Sequence, residues 1–327
     1  MITEKIFAGI DGGGTKTAGV LLDGAGRILA RTRAGRSAIF GDPSPESSAV
    51  LASVMQTLCA DAGIGRDQVT GIVLGLNGID FADEYPRQFS MLSACLDAPN
   101  AELTLVNDGI PALWGASPEE QAAIVQHGSG ITCAYRTAVG QERTFDHLGV
   151  GRQFDLRQQV AALVARMIDG RYPATPLKEA VLRHYGIDDE KDFAEQLYRQ
   201  RIPREIFRTA TRAVFASWQD AGDPAATELV HAAADDYACT ACVLIAATGD
   251  PRCHLAFGGG VIHHAPAAFF DVLVERVHAK YPETRVTRPR LTAEFGAAIM
   301  AAFRAGENPR TLFQTITEQL SSEERPV

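Results

Sequence analysis

Short apolar runs open this chain. Residues 5–10 and 18–23 flank a glycine-rich stretch, and 27–33 resumes an extended pattern after the turn signal Asp23-Gly24-Ala25-Gly26. Three strands with tight connections are expected. Ser44-Pro45-Glu46 then marks a helix start, with serine at the cap and proline in the first turn, and the helix should run to Gly63. Val69–Leu76 is a continuous apolar run, as in a parallel strand covered on both faces. A helix around 85–96, a strand at 101–106 and a short helix at 107–115 follow.

The pattern then restarts. Residues 121–127, 131–137 and 141–147 read as strands separated by glycine turns. Helical segments follow at 153–168, 204–218 and 224–247, then a strand ending in glycines at 253–260. A helix reaching 280, a strand near 284–287 and helices at 292–305 and 309–321 complete the chain. Element order and turn position therefore repeat, although residue identities do not. Two similar α/β halves make the cleft between them the natural ligand site. The stretch 170–203 is polar and irregular, an insertion in the second half.

Composition narrows the function classes. The 327 residues, 46% apolar and 22% charged, suit two ordinary domains. A net charge of −9 argues against a nucleic-acid partner, which needs clustered cations. No apolar run looks long enough to cross a bilayer and no export signal opens the chain, so no membrane partner is expected and the cytoplasm is the expected compartment. Among six cysteines only Cys239 and Cys242 are close. Their spacing on one helix face fits two small buried side chains, or half of an iron–sulfur or redox site.

Four stretches could carry chemistry. Asp11-Gly12-Gly13-Gly14-Thr15-Lys16-Thr17 exposes bare backbone beside one carboxylate. Glycine lets N–H groups reach an anion, the threonines add donors, and Asp11 could hold Mg²⁺ beside a phosphate, directly or through water. His127-Gly128-Ser129-Gly130 stands at the corresponding turn of the second half and could grip another phosphate. Either stretch could equally be a tight hairpin turn. Asn107-Asp108 ends a strand, where open α/β sheets place functional groups, and Asp108 could accept a proton from an attacking hydroxyl. An N-cap is the plainer reading. Phe257-Gly258-Gly259-Gly260-Val261 lies between strand and helix, where glycines would let an adenosine lie against backbone.

The order of these pieces resembles the sugar-kinase/actin/Hsp70 ATPase superfamily. Within it, "DGGGTKT", "LTLVNDGIPALWGA", "IVQHGSGITCAYR", "LAFGGGV" and "RPRLTAEFGAAIMAAF" resemble the N-acetylglucosamine kinase-like group, which shares a family with the BadF/BadG/BcrA/BcrD ATPases. The resemblance runs from Asp11 to Phe303. It implies an α/β fold of two ribonuclease-H-like domains flanking a central cleft. The first would span 1–116 and the second 117–305, with a helical insertion at about 170–222 and a terminal helix, 306–327, packing back on the first. ATP and Mg²⁺ would sit between them. Gly12, Gly13, Gly14, Thr15 and Lys16 would clasp the phosphates with Gly128, Ser129 and Gly130. Gly258, Gly259 and Gly260 would border the adenosine. Asp11 would position the metal, and Asp108 would be the base for in-line transfer to a sugar hydroxyl. Relatives of this kind are often homodimers.

Three places depart from the family pattern. Ser129 replaces the usual threonine of the second loop. The stretch 147–156, His147 to Leu156, lacks the family's acidic pair; Gly149 falls where the sugar would be held. The loop 34–43 offers Ser37 where an asparagine usually meets the sugar. Asn77, Gly78 and Asn107 complete the expected substrate contacts. N-acetylglucosamine is the default substrate, with glucosamine and an N-acetylated muramic sugar open. A BadF-type ATPase activator, or a non-catalytic sugar- or nucleotide-binding relative, is the alternative.

Overall fold

Apolar runs and glycine turns fold the first residues into three antiparallel strands, β1 (Ile6–Gly12), β2 (Thr17–Asp23) and β3 (Ile28–Ala34). Asp23 fixes the second turn, accepting from the backbone of Ala25 and Arg27 and from the Arg27 side chain. Helix α1 (Pro45–Ala62) starts where Ser44 Oγ accepts from Ser47 N and ends at Gly63, whose φ of 67° supplies the left-handed cap. Then come β4 (Gly71–Leu76), α2 (Tyr85–Leu96), β5 (Glu102–Asn107) and α3 (Gly109–Ala116). The sheet order is β3-β2-β1-β4-β5, with β1, β4 and β5 parallel. The computed structural model describes residues 5–128, 131–145 and 154–323.

The second half repeats this plan. Strands β6 (Ala122–His127), β7 (Ile131–Arg136) and β8 (Glu142–Thr144) are antiparallel. A helical block follows: α4 (Leu156–Ile168), α5 (Pro176–Tyr185), α6 (Phe193–Tyr198), α7 (Arg204–Arg208), α8 (Thr211–Ala221) and α9 (Pro224–Thr248). Strand β9 (His254–Gly258), α10 (Gly259–His264), α11 (Ala267–His278) and β10 (Arg285–Thr287) close it. The order β8-β7-β6-β9-β10 matches the first sheet strand for strand. Two α/β units built on one plan are what the element pattern implied.

Two features differ from the sequence pattern. The stretch 170–203 is not irregular: Leu177, Val181, Leu182, Tyr185 and Phe193 are buried in the second-domain core. Each such burial contributes about 1.5–3 kcal/mol. Helix α9 is also long and apolar enough to span a membrane by length and composition, against the sequence expectation. It serves here as the core helix of the second domain. Asp236 accepts from Phe154 N at 2.8 Å, and Asp235 pairs with Arg276 at 2.7 Å.

The last two helices are α12 (Ala293–Arg304) and α13 (Pro309–Glu323). Helix α12 follows the second sheet in sequence but lies on β1 of the first. Gly9 there has no space for a side chain, because a methyl group would overlap the Glu294 carbonyl and the Ala298 backbone. Conversely, α3 follows the first sheet but starts against Thr132 and Thr144 of the second. The two helices cross where Gly115 and Gly296 bring their backbones together. One apolar cluster, including Leu113, Trp114, Phe295 and Met300, therefore joins both halves. Helix α13 reaches back to the first sheet, with Gln319 bonded to Gly26 O and Ile28 N.

Candidate active site

The first glycine hairpin joins β1 to β2. Gly13 N donates to Lys16 O at 3.0 Å, while Gly13 O accepts from Ser37 N and Ala38 N at 3.2 Å. Gly14, Thr15 and Lys16 form the exposed tip. The base is closed. Thr17 Oγ1 lies 2.7 Å from Ser37 Oγ and 2.6 Å from Gly35 O, and the Ser37 side chain fills the space beside Gly12. Ser37 is thus fully buried under the hairpin, not open to a ligand. A small residue is needed beside Gly12, and that is its evident role, in place of the sugar contact expected from the sequence.

Asn77 is tied to this hairpin, donating its N–H to Gly12 O at 2.9 Å with its side chain exposed. The following Gly78 has a φ of 102° and faces the Ile39 carbonyl so closely that any side chain would collide. Next, Asp80 Oδ1 accepts from Asn107 Nδ2 at 2.6 Å. The same Asn107 side chain accepts from Gly109 N at 2.9 Å and so caps α3. Asp108 makes no capping bond. The plainer reading of Asp108, an N-cap, is therefore met by its neighbour.

Asp11 and Asp108 stand at the C-terminal ends of β1 and β5, near enough to interact. Burial, then the charges of Glu294 and Asp108, push the Asp11 carboxyl up to about 7, opposed by the Lys16 ammonium. Glu294, in the first turn of α12, completes a concentration of negative charge. Its only trace in the sequence is an acidic residue early in a helix.

The second hairpin is anchored differently. The His127 ring is buried and stacks on Tyr237, with centroids 3.5 Å apart, and burial pulls its pKa down to about 3. Gly259, at a φ of 86°, lies directly against the His127 backbone. The expected adenosine corner and phosphate turn thus meet, although they are far apart in sequence. Gly258 packs on Pro289, and Gly260 is open. Gly128 O accepts from Arg157 Nη1 at 2.8 Å. Ser129, Gly130, Gly149 and most of the altered stretch 147–156 lie outside the described residues.

A family model for BadF/BadG/BcrA/BcrD ATPases matches residues 8–301. This chain belongs to that family. Members of the wider group that it resembles include an N-acetylmuramic acid/N-acetylglucosamine kinase of Clostridium acetobutylicum, 22% identical over 91% of this chain and 98% of that protein. A glucosamine kinase of Vibrio cholerae is 25% identical over 70% of this chain and 77% of its own length. Among solved structures, a candidate N-acetylglucosamine kinase from Chromobacterium violaceum superposes with a TM-score of 0.67 at 24% identity, covering 91% of this chain and 99% of the other. That likeness establishes the shared fold. In this ATPase family member the two hairpins, Asp11 and Asp108 lie at the carboxyl ends of β1, β6 and β5, the edge where open α/β sheets commonly place functional groups.

Proposed function

We propose that this chain phosphorylates an amino sugar with ATP. The observation that carries the reading is Asp108 itself. It directly follows β5, is relieved of capping by Asn107, and interacts electrostatically with Asp11 beside the first glycine hairpin. A carboxylate so placed can orient a sugar hydroxyl and take its proton as the oxygen attacks the γ-phosphate. The exposed N–H groups of the first hairpin and Gly128 of the second would hold the phosphates, and Gly258–Gly260 would border the adenosine. Asn77, Gly78 and Asn107, with Asp80 beside them, are our candidates for the sugar.

Mg²⁺ fits Asp11. Among the described residues no three His, Cys, Asp or Glu side chains are arranged as a ready metal cage. Mg²⁺ does not ask for one: it is commonly held by one or two carboxylates, substrate phosphates and water. Burial first, and then the nearby charges of Glu294 and Asp108, disfavour a bare carboxylate at Asp11, and a bound dication would offset both. Bound there, the ion would neutralise charge on the transferring phosphate. We take the substrate to be N-acetylglucosamine by default, and the protein to be a cytoplasmic homodimer without nucleic-acid or membrane partners.

The activator alternative needs thiolates gathered for a cluster. Cys239 is exposed on α9 and Cys242 is buried beneath it, and nothing in their placement favours that reading. The test is ADP release on addition of N-acetylglucosamine, glucosamine or N-acetylmuramic acid to the protein with ATP and Mg²⁺. Stimulation by at least one supports the proposal. ATP binding with no stimulation by any amino sugar removes it.

A further inference from the structure

The first hairpin is held by small side chains beneath it, whereas the second is held by a buried cation. Arg157 is only 7% exposed. Its Nε and Nη2 donate to the two Asp155 oxygens at 2.8 and 2.9 Å, a bidentate fork, leaving Nη1 to donate to Gly128 O at 2.8 Å. The Asp155 carboxylate also accepts from Arg157 N at 3.0 Å, which caps α4. The pair is therefore a rigid unit, and α4 anchors it through the buried Leu156, Val160 and Val164. On the other side of the turn, the His127 ring is fixed by Tyr237 and its backbone by Gly259. Burying a guanidinium carries a desolvation cost that only well-placed hydrogen bonds and a paired anion offset. Here one donor is spent on a single backbone carbonyl at the tip of a phosphate-binding turn.

We propose that Arg157 is a positioning residue for nucleotide, an inference that rests on the kinase reading. The bond from Arg157 Nη1 holds the Gly128 carbonyl toward α4. Released from Arg157, the carbonyl is free to turn toward the phosphates, where an acceptor repels an anion. Asp155 acts one step further back by holding the fork. Arg157 thereby tunes affinity for the triphosphate without touching the sugar.

The experiment measures binding of a non-hydrolysable ATP analogue with Mg²⁺ by calorimetry, without sugar, alongside the melting temperature. Arg157→Met should weaken nucleotide binding roughly tenfold to a hundredfold, the loss of one hydrogen bond from a charged group. Arg157→Lys and Asp155→Asn keep a donor or the helix cap and should fall between it and wild type. The KM for the stimulating sugar should stay within about twofold, which general loosening would not spare. Lys and Asn variants that melt like wild type and bind nucleotide equally well overturn the inference alone. A wild-type protein that binds no nucleotide overturns the kinase reading together with it.

Discussion

The two sheets share one strand order, yet the hairpins that open them are held in unlike ways. In the first half the tip is open, and its base rests on hydroxyls, Thr17 to Ser37 and Gly35. In the second, the turn is wedged between Tyr237, Gly259 and Arg157. The chemistry divides along the same line. The carboxylates Asp11 and Asp108 belong to the first half, while the second offers backbone and a buried cation. A repeated topology thus supplies two equivalent turns, and side chains outside the repeat brace each one differently. The crossing of α3 and α12 at Gly115 and Gly296 ties the two together.

The sharpest break of this division is Asp108→Asn. If proton acceptance sits only in the first half, the variant should keep nucleotide affinity and lose about 10²–10⁴-fold in kcat. Steady-state turnover and calorimetry on one preparation separate the two. Equal turnover would move the chemistry elsewhere.

A paired glycine substitution contrasts the brace behind the second hairpin with the open tip of the first. Gly259→Ala forces a methyl group into the His127 backbone at a positive φ, and should cost about 2–4 kcal/mol in denaturant unfolding. Gly14→Ala meets nothing within 4 Å and should stay within about 0.5 kcal/mol of wild type. Similar costs would mean that the two turns are built alike.

The smallest effect is in pH. His127 is neutral in the fold, with a pKa near 3 against 6.5 when exposed. The unfolded chain therefore binds the extra proton first, so this stability is present above pH 6.5 and is lost as pH falls toward 3. Between pH 8 and pH 5 the loss is about 2 kcal/mol. Removing the titrating group in His127→Gln should flatten that limb of the stability curve by about this amount, whatever the baseline change from the lost stack. A curve of unchanged slope would place His127 in water.

Much of this was legible in the residues. Short apolar runs and their glycine boundaries locate the strands, because tight turns favour bare backbone whatever surrounds them. The role of Asn107 as cap beside Asp108 follows the ordinary preference at helix starts. The bracing was not legible. Nothing local says that Ser37 turns inward against Gly12, or that Arg157 reaches the carbonyl of a residue 29 positions earlier. The helices within 170–203, implied by the resemblance, were not legible in the residue pattern itself for a related reason. Their apolar residues, Leu177, Val181 and Leu182 among them, are too few to dominate a polar stretch until the core they complete exists.

In the proposed enzyme both hairpins converge on one triphosphate, with Asp108 beside the acceptor hydroxyl. A crystal structure with Mg²⁺, a non-hydrolysable ATP analogue and the sugar that best stimulates ADP release tests it directly. Phosphate oxygens on the backbone of both turns and the Asp108 carboxylate about 3 Å from a sugar hydroxyl are expected. A nucleotide held by one half alone, or an Asp108 turned away from the sugar, would contradict it.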